Sequence, residues 1–72
     1  MNAAELRAGL KRSKTSQAQF ARLVGVSDRT VRFWLKGTHR IPATIGLVAS
    51  MILTLREDRI TNMAKQVEET DT

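Results

Sequence analysis

Apolar residues along this chain recur at helical spacing and nowhere alternate, so the pattern predicts helices and no strands. Leu6 and Leu10 lie four apart with Ala3 beside them, behind Asn2 as a cap and Glu5 in the first turn. That arrangement predicts a first helix from about Ala3 to Arg12. "SKTS" then breaks the pattern. Ser16, with Gln19 three residues on, has capping-box spacing, and Phe20, Leu23 and Val24 form the apolar stripe of a second helix, with Ala21 as a small contact. Gly25 ends it, since glycine takes a left-handed conformation without a Cβ penalty. Val26 follows as an apolar plug. Ser27 caps a third helix, Asp28 to Lys36, which opens on an acid and closes on a base, as the helix dipole favours. Val31, Trp34 and Leu35 fall at i, i+3 and i+4 and face inward together; Gly37 stops the helix.

The next segment reads differently. Pro42 suits the first position of a fourth helix, where its missing N–H costs nothing. Ile45, Leu47, Val48, Met51, Ile52, Leu53 and Leu55 then leave that helix apolar nearly all round. A helix packed on one core keeps its far side polar, so a second face here needs a cover: a later helix or another chain. After "REDR", Ile60, Met63, Ala64 and Val67 again follow helical spacing, as a fifth helix or a continuation of the fourth. The polar ending is expected to fray. The expectation is an all-α, compact four- to five-helix domain over residues 1–67, with a polar tail at 68–72. Its C-terminal helices would serve dimerisation through Ile45, Val48, Met51, Ile52, Leu55, Ile60, Met63 and Val67.

At 72 residues the chain is near the lower size for one self-sufficient core, which favours dimerisation or very regular packing. It has no cysteine, which excludes disulfide staples and thiolate metal sites and fits a reducing compartment. The N-terminus has no apolar signal core, and Ile45 to Leu55 is too short to span a bilayer, so a soluble cytoplasmic protein without a membrane partner is expected. Charge is unevenly placed. Up to Arg40, nine basic residues face only Glu5 and Asp28; from Ile41 onward three face five acids. The first part is the footprint of a polyanion partner. His39 is the sole histidine, so no metal site is expected, and no nucleophile–base pair or glycine-rich phosphate loop occurs. Neither enzymatic chemistry, nor a cofactor, nor a small-molecule ligand is expected.

Two short helices joined by a glycine turn, the second Ser-capped and studded with arginine, describe a helix-turn-helix. Ala21 is small where the two helices cross, Gly25 allows the positive φ, and Val26, Val31 and Trp34 anchor the second helix of the pair. "SQAQFARLVGVSDRTVRFWLKG" resembles the helix-turn-helix of the Cro/CI-type (XRE) repressors of phages and mobile elements, over roughly Glu5 to Leu55. Within that family, "VSDRTVRFWL" followed by a Pro-led apolar helix is similar to the short anti-CRISPR-associated (Aca) regulators, which repress the operon encoding them. The resemblance implies that the third helix enters the major groove, that Asp28, Arg29, Arg32 and Phe33 face base edges, and that Gln17 at the start of the second helix meets a phosphate. Phe33 departs from many relatives, which carry a basic or polar residue there.

An arginine can hold guanine O6 and N7 through two parallel hydrogen bonds, which makes Arg29 and Arg32 the expected direct readers. Asp28 either orients Arg29 or accepts from a cytosine amine, the first being favoured. Phe33 either meets a thymine methyl or closes the core edge. Trp34 belongs to the core. Further phosphate contacts are expected from Ser16, Gln19, Ser27 and Thr30 near the two helix starts, and from Lys36, Thr38 and Arg40 in or beside the loop that follows, where register is set. Ser27 is a cap first and a phosphate donor second; for Gln19, solvent is the alternative.

The resulting expectation is a dimeric repressor on a palindromic operator, two reading helices supplying affinity and specificity together. The length leaves no room for a ligand-sensing domain, which points to autoregulation by concentration. Two other readings share parts of this pattern. An antitoxin would use the apolar C-terminal half to cover a toxin, and a basic adaptor would bind an acidic protein or membrane surface instead of DNA.

Overall fold

Side chains of the residue types that favour helix starts fix three of the four helix N-termini. The computed structural model describes the backbone of residues 1–70 and the side chains of residues 1–62. It contains α1 (Ala3–Arg12), α2 (Gln17–Val24), α3 (Asp28–Lys36) and α4 (Ala43–Thr70). The described residues include no strand, so the all-α class holds. At α1 the Asn2 side chain accepts from the Glu5 N–H at 2.8 Å, and Glu5 accepts from the Asn2 N–H at 3.4 Å. Ser16 and Gln19 form the same reciprocal box on α2, at 3.1 and 3.0 Å. Ser27 caps α3 by accepting from the Thr30 N–H at 3.2 Å. Each such cap contributes about 1 kcal/mol, a large share for so small a domain.

Helix ends obey the same accounting of backbone groups. Gly25 and Gly37 sit at φ 76° and 77°, where a side chain would have room but not the right backbone. The N–H groups beyond them turn back, Val26 to the Ala21 carbonyl at 2.9 Å and Thr38 to that of Phe33 at 3.0 Å. The break at "SKTS" is itself a structured turn. In the structure it closes α1 in the same manner without glycine: Lys14 adopts φ 51°, and the Thr15 N–H donates to the Leu10 carbonyl at 2.9 Å.

Leu6, Leu10, Phe20, Ala21, Val31, Trp34, Leu35 and Ile41 form one buried core, to which α4 adds Ala49 and Leu53. α1 and α4 approach closely because Gly9 has no side chain; a Cβ there would stand 3.0 Å from Leu53 Cδ1. Beside this contact lies a buried polar chain. Ser13 donates to the Gly9 carbonyl at 2.7 Å and shares a hydrogen bond with Thr15 at 2.8 Å, while Arg56 Nε donates to Thr15 Oγ1 at 2.9 Å. The network ties α4 to the turn ahead of α2, and none of the buried side-chain polar atoms described lacks a partner.

Two expectations need correction, and one open choice is settled. Leu23 is exposed rather than part of the inward stripe of α2, since Phe20, Ala21 and Val24 fill the narrow arc that faces the body. Pro42 stands one residue earlier than expected: its carbonyl accepts the Gly46 N–H at 2.9 Å, and the helix proper begins at Ala43. The choice between a fifth helix and a continued fourth is resolved as one helix, whose backbone stays helical through Thr70, into the segment expected to fray.

That helix also sorts its apolar residues. Gly46, Ala49 and Leu53 are buried, Ile45 packs against the core, and Ile52 and Ile60 are half-buried. Leu47, Val48, Met51 and Leu55 point outward, at 70%, 47%, 67% and 67% exposure. Of the residues expected at a dimer interface, Val48, Met51 and Leu55 are thus fully outward, Ile45, Ile52 and Ile60 lean toward the body, and the side chains of Met63 and Val67 lie outside the described residues.

Candidate nucleic-acid interface

α3 carries its two characters on opposite sides. Val31, Trp34 and Leu35 are buried, while Asp28, Arg29, Arg32 and Lys36 are exposed, with Thr30 and Phe33 half-buried between them. Residues 29, 32, 33 and 36 are three or four apart and share one face. Trp34, 5% exposed, is the anchor beneath that face, as the apolar spacing required. Arg7 of α1 adds a brace, its Nη2 donating to the Leu35 carbonyl at 2.8 Å near the end of α3.

The basic side chains of the face keep their charge available. Among the described residues the ion pair formed is Arg12–Glu57, at 3.4 Å and well exposed on both sides, where such pairs contribute little. Arg29, Arg32, Lys36 and Arg40 are therefore not neutralised by an acid of the described chain.

Among the described residues no ion pair links Asp28 to Arg29. Adjacent helical residues diverge by about 100°, whereas residues four apart align. The side chain aligned with Arg29 is Phe33, and the guanidinium carbon lies 5.3 Å from its ring centroid. His39, from the loop beyond Gly37, stacks on the same ring with centroids 4.8 Å apart and planes inclined by 29°. No spacing rule joins residues 33 and 39 across a turn, so this contact has no signature along the chain.

The residues expected at phosphates fall into two groups. Gln17, Lys36, Thr38 and Arg40 are exposed and hold no side-chain hydrogen bond within the described chain. Ser16, Gln19, Ser27 and Thr30 already serve as caps. Their caps leave donors free, however. Gln19 accepts through its carbonyl oxygen, so its amide NH2 remains available, and the hydroxyl pair of Ser27 and Thr30, 2.9 Å apart, uses only one of its two O–H groups. The starts of α2 and α3 thus present N–H and O–H donors together with positive helix ends, a combination that suits phosphate oxygens.

Compared with protein families, residues 6–45 match the helix-turn-helix family model, more than half of the chain and the whole of α2, turn and α3. The chain belongs to the helix-turn-helix family. The match is to its Cro/CI (XRE) type, a DNA-binding regulatory family, and this regulator is accordingly a DNA-binding transcription regulator. Neither a curated protein nor a solved structure matches the regulator's sequence or fold. No described helix of the regulator is long and apolar enough to cross a membrane.

Proposed function

We propose that this regulator is a homodimeric repressor that binds an inverted repeat in the control region of its own operon, with α3 of each protomer in the major groove. The observation that carries the reading is the outward face of α3. Two arginines and a lysine stand there unneutralised, one turn apart, on a helix locked from behind by Trp34. An arginine in the first turn of a groove helix can reach guanine O6 and N7, and Arg29 has that place. Arg32 reads a neighbouring pair or holds the backbone, while Lys36, Thr38 and Arg40 fix register on phosphates.

Dimerisation has its own support in Leu47, Val48, Met51 and Leu55, an apolar stripe turned away from the core. A two-fold contact along it would give one protein two reading helices, matching the symmetry of an inverted repeat. The likeness of "VSDRTVRFWL" and the Pro-led helix to anti-CRISPR-associated regulators supports control of the operon that encodes it, in a phage or another mobile element. An antitoxin would place a toxin on the same stripe, and a chain that sediments as a monomer while binding DNA would favour that reading.

The test is binding to the DNA immediately upstream of its gene, and to versions altered one base pair at a time. Arg29→Ala is expected to cost about 1–3 kcal/mol per half-site and to relax preference at one symmetric guanine. A folded Arg29→Ala variant with unchanged affinity and base preference would overturn the assignment.

A further inference from the structure

We propose that Phe33 is a positioning residue, its ring holding the Arg29 guanidinium and the His39 imidazole in one stacked unit. This inference rests on the reading of α3 as the groove helix and deepens it. In the unit, the reading arginine is aimed before DNA arrives, and the loop after α3 is tied to it.

Phe33 is half-buried and is not one of the core side chains, so core packing does not account for an aromatic residue on an otherwise charged face. What it touches does. Arg29 lies over it at 5.3 Å, from one turn earlier on α3, and His39 stacks at 4.8 Å from beyond the glycine turn. Arginine is a long side chain whose rotamer freedom must be given up on binding. A stack removes part of that cost in advance. It also does so without using the groups that read DNA. An acid restraining Arg29 would occupy the N–H fork that a guanine needs, whereas an aromatic ring engages the flat face and leaves the fork free. His39 holds the ring from the loop that carries Thr38 and Arg40, so base reading and phosphate register become parts of one rigid feature.

The experiment measures binding of the full chain to operators altered one base pair at a time, with thermal melting of each variant. Phe33→Leu keeps an apolar group but removes the ring. It should lower affinity for the preferred operator by about two- to fivefold per half-site, the scale of an exposed cation–ring contact. Affinity for operators already altered at the Arg29 position should change little, so that discrimination shrinks. Phe33→Trp should retain discrimination, and His39→Leu should reduce it in the same sense by a smaller factor. Combined with Arg29→Ala, Phe33→Leu should cause no further loss of discrimination. In the DNA-free protein, the Arg29 side-chain resonances should show a ring-current shift that Phe33→Leu abolishes. Equal weakening on every operator, or only a lower melting temperature, would overturn the positioning role and leave Phe33 a packing residue. If Arg29→Ala relaxed base preference but Phe33→Leu did not, the positioning role alone would fail. If Arg29→Ala changed nothing, the groove reading would fail with it, even where the ring-current shift proved the stack itself.

Discussion

The outward faces of α3 and α4 are both open to solvent, yet they present opposite chemistry. On α3, Arg29, Arg32 and Lys36 share the exposed face with one half-buried ring; on α4, Leu47, Val48, Met51 and Leu55 make an exposed apolar stripe. Exposed charge costs a folded protein almost nothing, because water solvates it as well as it did in the unfolded chain. Exposed apolar surface forgoes about 25 cal/mol for each Å² left uncovered. The α3 face is thus stable alone and becomes useful only when a polyanion arrives. The α4 face is incomplete alone. Its need for cover is satisfied within the proposed function by a second copy of the chain, which also supplies the second reading helix.

The largest expected effect tests what lies beneath the charged face. Trp34→Ala should cost about 3–5 kcal/mol and leave so small a domain largely unfolded, as circular dichroism and denaturant titration would show. A variant that melted like the parent would mean that α3 is held by something other than its buried anchor. The next effect separates the two faces. Met51→Glu combined with Leu55→Glu removes apolar groups whose full burial is worth about 1.5–3 kcal/mol each. Sedimentation should then report a single chain mass, with helicity intact and operator binding much weakened. A pair of glutamates that left the mass unchanged would remove α4 from the interface. The smallest effect lies on neither face. Lys14→Gly relieves a left-handed backbone at the end of α1 and should raise stability by about 0.5–1 kcal/mol, seen in the melting curve, with DNA affinity and sedimentation unchanged. A loss of stability there would show that the lysine side chain contributes more than its backbone costs.

Much of this was legible in the residues. Asn2, Ser16, Ser27, Gly25 and Gly37 fixed the first three helices, because caps and left-handed turns are local events decided within four or five residues. Val31, Trp34 and Leu35 were recognisable as the inner face of α3 by the same local periodicity. The inference weakened where contacts cross the chain. Leu23 looked like core because an eight-residue helix offers too few positions to define an arc, and only the neighbouring helices show where that arc points. Asp28 was paired with Arg29 from adjacency, although helix geometry puts residue 33, not 28, alongside residue 29.

Short-range spacing and composition are enough to set the helices, the turn, the sidedness of α3 and the uneven charge. Tertiary structure decided which apolar residues of α4 are spare. Gly46, Ala49 and Leu53 are inner positions because the small residues on both helices let α1 and α4 close together at Gly9, and this leaves Leu47, Met51 and Leu55 on the far side. It also decided that His39 meets Phe33 and that Arg56 reaches Thr15 across 41 positions of sequence. Such contacts have no period to read. They exist because the chain, once its helices pack, brings distant residues within a few ångströms, and that arrangement is a property of the whole core rather than of any segment.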